Sequence, residues 1–141
     1  MTNQREKMRV SSDMKPRIAL SAKDYESLLL LARAAASRMP DLTSILADEL
    51  ERADVLADSE PGHFVCMGGV VEFRDDMTGK VQTVTLVYPG DADISQGRIS
   101  VLTPIGTALI GLGVGDSITW ETRIGELRQL TVLKIREPEL V

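Results

Sequence analysis

The sequence predicts an α+β chain in which a short antiparallel helical hairpin precedes a compact head, an antiparallel sheet around one short helix. Three observations carry this. Two stretches between Ser21 and Ala57 repeat apolar residues at helical spacing, with a Pro40 break between them. Several short alternating stretches follow from Val70 onward, separated by Gly, Pro and Asp. Between them lies the run Ile99 to Asp116, an apolar stretch that breaks at Pro104, packs small residues through Ala108, and turns at Gly113 and Gly115.

The first helix is expected over Ser21 to Ser37. Ser21 followed by Asp24 resembles a capping box, and Tyr25, Leu28, Leu29, Ala32 and Ala36 recur along one face. Ser37 to Pro40 interrupts it, because proline lacks an amide proton and disfavours helical geometry in the residue before it. Pro40 nevertheless suits the first turn of a second helix starting near Asp41, with Leu42, Ile45, Leu46, Leu50, Ala53 and Ala57 along one side. At about 16 residues each, the helices span roughly 24 Å. A hairpin this short buries little by itself and should lean on the head or on a second subunit, its acids on the remaining faces.

In the head, Val70 to Phe73 and Gln82 to Tyr88 read as two strands around the turn Asp75 to Gly79. A loop follows over Asp91 to Gly97, then a strand Ile99 to Leu102 and a short helix Pro104 to Ile110. Strands over Ser117 to Thr122 and Arg128 to Ile135 complete five. Domain bounds follow: residues 1–17 as a disordered terminus, 18–60 as the hairpin and 61–141 as the head, with Pro61-Gly62 in the linker.

Charge narrows the partners. Basic and acidic residues number five and two in residues 1–20, four and nine in 21–60, and seven and ten in 61–141. Asp41 to Glu60 holds seven acids against Arg52 alone, a surface unsuited to gripping a phosphate backbone, so direct nucleic-acid binding is not expected. No apolar run approaches the roughly 20 residues needed to span a bilayer, and MTNQREKMRV lacks the apolar core of a secretory signal, which points to the cytoplasm. One cysteine, Cys66, and one histidine, His63, give neither a disulfide nor a zinc spacing, and no cofactor or metal site is expected. Cys66 is expected as a small buried apolar residue, Trp120 in the core or at an interface, and Gly113-Val114-Gly115 as a turn, since it precedes a strand instead of opening a helix.

The run Ile99 to Asp116, with Pro104-Ile105-Gly106, Ala108-Leu109-Ile110-Gly111 and Gly115-Asp116, resembles the C-terminal domain of Gre transcription elongation factors, whose fold is similar to that of FK506-binding proteins. With Leu86-Val87-Tyr88-Pro89, Trp120 and the short hairpin, residues 18–137 look most like the Rnk family, named regulators of nucleoside diphosphate kinase. The resemblance implies a non-enzymatic regulator that docks through its head on bacterial RNA polymerase near the secondary channel. In Gre factors the hairpin tip carries an Asp, and a Glu three residues later, which help hold a second Mg²⁺ for transcript cleavage. Here Asp41 matches and Ser44 stands where the Glu is expected. The Gre hairpin is also roughly twice as long, which leaves this tip on the order of 20 Å short.

The expectation is a competitor of Gre factors that modulates elongation without stimulating cleavage, its head docking through Asp93, Ser100, Pro104 and Ile105. A Gre-like cleavage cofactor, a peptidyl-prolyl isomerase and a regulator of nucleoside diphosphate kinase levels are the alternatives. The isomerase rests on fold analogy alone, and the head's aromatic residues, Phe64, Phe73, Tyr88 and Trp120, are spread along the chain.

Overall fold

A computed structural model describes residues 17–56 and 64–136. Most of residues 1–17 and the Pro61-Gly62 linker with His63 therefore lie outside the described residues, as does Ala57. The order is β1 (Ala19–Ser21), α1 (Ala22–Ala35), α2 (Pro40–Glu51), β2 (Asp54–Leu56), β3 (Val70–Asp75), β4 (Val81–Val87), β5 (Arg98–Ser100), α3 (Pro104–Leu109), β6 (Ser117–Glu121) and β7 (Leu127–Arg136).

The two helices start and stop for local reasons. Ser21 caps α1, its hydroxyl accepting from the Asp24 amide at 3.1 Å. The reciprocal half of the expected capping box is diverted, for the Asp24 carboxylate accepts from the Met67 amide of the head at 3.1 Å. Pro40 opens α2 at the first helical position, where its missing N–H costs no bond. Leu28, Ala32 and Ala35 of α1 and Leu46 and Leu50 of α2 are buried in one cluster that also holds Val71, Phe73 and Val132 of the sheet. Two faces are corrected here: Ile45 is 47% exposed and Ala36 lies outside, whereas Thr43 and Glu49 turn inward. Thr43 is tolerated because its hydroxyl donates to the Met39 carbonyl at 2.9 Å, and Glu49, only 3% exposed, because Arg52 reaches its carboxylate at 2.7 Å.

The hairpin is clasped at its base. β1 and β2 pair in parallel, Leu20 opposite Val55, which requires the chain to turn back through Arg52 and Ala53 after α2. Arg17 and Asp54 close the clasp with an exposed ion pair at 2.7 Å. Gly111 anchors it to the head: its carbonyl accepts from the Ala19 amide at 3.1 Å, its φ is +82°, and a Cβ there would stand 2.6 Å from Ile18 Cβ.

The five-stranded sheet has the order β5-β4-β3-β7-β6. It is mixed, and the expectation of an antiparallel sheet is corrected at one edge, where β4 and β5 run parallel with Leu86 opposite Ile99. Two 3-10 turns, Pro89–Asp91 and Ile94–Gln96, bring the chain back to Thr85 in the second half of β4 and make this possible. Phe73, Leu86, Leu109, Ile110, Leu112, Ile118 and Leu130 fill the core. Cys66 is partly buried, short of the full burial expected of it.

Candidate docking groove of the head

The short helix α3 is wedged onto the end of β5. Thr103 caps it by accepting from the Gly106 amide at 3.0 Å, and its own hydroxyl donates to the Ser100 carbonyl at 2.8 Å. The Ser100 hydroxyl accepts from the Leu102 amide at 2.9 Å, and the buried Thr107 hydroxyl donates to the Val101 carbonyl at 2.9 Å. These bonds satisfy the polar groups of a tight turn and fix Pro104 and Ile105 beside Ile99.

Pro104 and Ile105 form part of the floor of an open apolar groove of about 500 Å³, with Ile99 and Trp120. One wall is the β4–β5 loop. It is self-closed: Asp93 and Arg98 exchange two backbone hydrogen bonds, and the Asp93 carboxylate accepts from the Ser95 amide at 3.1 Å and the Ser95 hydroxyl at 2.6 Å. The loop so held projects Ile94, 84% exposed. The other wall is the β6–β7 turn, closed by bonds from the Thr122 amide to the Glu126 carbonyl and from the Glu126 amide to the Thr122 hydroxyl. It projects Ile124, 83% exposed. Scattered exposed apolar residues are ordinary in soluble proteins, but two exposed isoleucines that line one concave apolar groove single it out as the candidate contact surface.

A smaller pocket of about 260 Å³ shares Ile105, Trp120 and Thr122 with the groove and reaches Asp75 and Arg128. Arg128 donates through Nε to Asp75 at 3.1 Å and through Nη2 as well, holding that carboxyl below the usual range. Beside it, Asp76 accepts from the Thr131 hydroxyl at 2.6 Å and from Arg74 at 2.8 Å, which lowers its pKa likewise. The pair ties the β3–β4 turn to β7 beneath the groove.

Of the residues singled out in the sequence, Ser100, Pro104 and Ile105 come together in the groove lining. Asp93 does not line it; its neighbours Ala92 and Ile94 do, and its carboxylate is committed to Ser95. Trp120 lines the groove from β6, half-buried. Sequence reasoning missed Ile94 and Ile124, whose one available signal was a large aliphatic residue alone among polar turn residues. Asp41 and Ser44 sit far along the chain from this groove, both exposed, Asp41 in the first turn of α2 and Ser44 just after it.

Residues 60–137 match the pattern of the C-terminal domain of the GreA/GreB transcription elongation factors. The regulator of nucleoside diphosphate kinase of Escherichia coli (strain K12) is 38% identical over 128 residues, covering 89% of this chain and 93% of that protein. The transcription inhibitor protein Gfh1 of Thermus aquaticus is 30% identical over 129 residues, 89% of this chain and 82% of its own length. A solved structure, the prokaryotic transcription elongation factor GreA/GreB from Nitrosomonas europaea, superposes with a TM-score of 0.69 at 35% identity, covering 87% of this chain and all of that one. The chain belongs to the family of the regulators of nucleoside diphosphate kinase, whose head is the C-terminal domain of the GreA/GreB factors.

Proposed function

We propose that this protein binds bacterial RNA polymerase near the secondary channel and modulates elongation by competing with Gre factors, without stimulating transcript cleavage. The observation that carries the reading is the groove. Ile94 and Ile124 stand exposed on two hydrogen-bonded walls over a floor of Pro104, Ile105 and Trp120, a preformed apolar recess of the kind that accepts a protein anchor. Two relatives, a transcription inhibitor protein and a transcription elongation factor, support the same partner.

The hairpin supports the inhibitory half. Its tip offers Asp41 with Ser44 in place of a second carboxylate, and its helices of 14 and 12 residues extend only about 21 and 18 Å. Asp93 acts by shaping the Ile94 wall, and Ser100 by closing the turn before Pro104. An isomerase reading has less to stand on, since Trp120 is the one aromatic residue in the groove lining.

The test is a pull-down of core RNA polymerase with the full chain, repeated with a Gre factor as competitor, beside a cleavage assay on stalled transcripts. Binding that the Gre factor displaces, with no added cleavage, is the expected result. Ile94→Asp should abolish capture while leaving the melting temperature unchanged. No capture at low or moderate salt, or cleavage at a rate like that of a Gre factor, would sink the reading.

A further inference from the structure

We infer that the segment received by the groove carries an apolar anchor flanked by carboxylates, the anchor seated between Ile94 and Ile124 and the acids meeting Arg98 and Arg123. The inference rests on the groove being the docking surface proposed above and specifies its partner's chemistry.

The chain is acidic overall, with a formal net charge of −5, yet the groove is not. Its ionisable lining residues are Arg98, Arg123 and Glu126. Glu126 is faced by Arg128, whose Nη1 lies 3.5 Å from its carboxylate. Arg98 and Arg123 are exposed and take part in no ion pair among the described residues. Asp91, Asp93 and Glu121 carry charge nearby but lie outside the lining, which itself holds two cations against Glu126 alone.

Two open guanidiniums thus border an apolar recess, Arg98 on the Ile94 wall and Arg123 on the Ile124 wall. A guanidinium beside an apolar surface is screened less by water than one in the open, and its planar donors suit a carboxylate. A segment with acids on both sides of its anchor gains on both rims, whereas a basic one is repelled on both. Such rim charges set partner choice and encounter rate more than they add affinity.

Trp120 lines the groove and is the single tryptophan of the chain, so its emission reports occupancy. The probes are two capped peptides, Glu-Leu-Leu-Glu and Lys-Leu-Leu-Lys, titrated at low salt. The acidic peptide should shift the emission with about tenfold tighter binding, and the double variant Arg98→Glu with Arg123→Glu should reverse the preference. Equal binding of both peptides, or no change in emission with either, overturns the inference. Core RNA polymerase separates it from the docking reading. Polymerase bound equally by wild type and the double variant, but not by Ile94→Asp, refutes the charge complementarity and keeps the docking. Peptide discrimination without polymerase capture upholds the groove's chemistry and refutes the partner.

Discussion

The Ser100 carbonyl oxygen occupies the space that a side chain on residue 106 would need: a Cβ built on Gly106 would stand 2.2 Å from it, and 2.9 Å from Thr103 Oγ1. Glycine is the condition for α3 to close onto the end of β5, and α3 in turn fixes the Pro104-Ile105 floor of the groove. Backbone cannot yield as the end of a long side chain can. Gly106→Ala is therefore expected to cost about 3 kcal/mol, the upper part of the range for overpacking a filled core. Urea denaturation would show it as a lowered midpoint with unchanged slope. A midpoint within error of wild type would mean that α3 shifts freely, and the groove floor with it.

Acid should loosen the same region from below. Asp76 titrates below an ordinary aspartate because the Thr131 hydroxyl and then Arg74 bond its charged form, and Asp75 does so because of Arg128. A carboxyl whose folded pKa lies under its unfolded value of about 3.9 contributes stability that is complete above that value and is lost as the pH falls through the folded pKa. The contribution of the two should thus be flat from neutral pH to about 5 and decline below about 4. Asp76→Asn should flatten that decline in a series of urea midpoints against pH, and an unchanged slope would remove Asp76 from the acid response.

How much of this could be read from residues alone depended on whether local sequence held the cause. The helices, the Pro40 break and the turn before α3 were legible, because caps, prolines and apolar spacing lie within a few residues of the elements they control. β1 and β2 were not: each is three residues long, too short for alternation to register, and their partners lie 35 positions apart, Ala19 against Asp54. The parallel run of β5 depended on the path of the β4–β5 loop, which Pro89, Asp93 and Gly97 set through geometry instead of pattern. Ile45 fitted the helical stripe, but Thr43, which lies beside Leu29 and Ala32 of α1, and Glu49, paired with Arg52, take the inward positions instead. The floor of the groove was visible as Pro104 and Ile105. Its walls were not, because Ile94 and Ile124 sit in turns, where no periodicity distinguishes an exposed apolar residue from a buried one.

Asp24 joins the hairpin to the head, and its loss should free one from the other. Its carboxylate accepts from the Met67 amide at 3.1 Å, near the half-buried Tyr88, whose phenol is pushed up by burial against a hydrogen bond with Ser27 that pulls it down. Asp24→Ala leaves the Met67 N–H without this acceptor, a change worth about 1–3 kcal/mol when the orphaned group is buried. Amide exchange should accelerate at Met67 and along α1 while the central strands β3 and β7 keep their protection. Uniform acceleration over the whole chain would show instead that hairpin and head open as one unit.

Restoring the second tip carboxylate should not restore cleavage. Asp41 and residue 44 are exposed and three apart near the start of α2, so Ser44→Glu sets two carboxylates on one helix face, near enough to share a hydrated divalent cation. Chemistry at the polymerase centre also requires reach, and α1 with its 14 residues extends about 21 Å from the clasp formed by β1 and β2. The clasp, Gly111 and Asp24 hold the base of the hairpin against the head, so a head seated in the manner of a Gre factor leaves the tip no slack to move forward. Ser44→Glu is expected to be captured by core polymerase as well as wild type and to leave stalled transcripts uncut at any Mg²⁺ concentration that supports a Gre factor. If it cleaves them where wild type does not, the tip reaches the catalytic metal, and the second carboxylate rather than reach sets the limit.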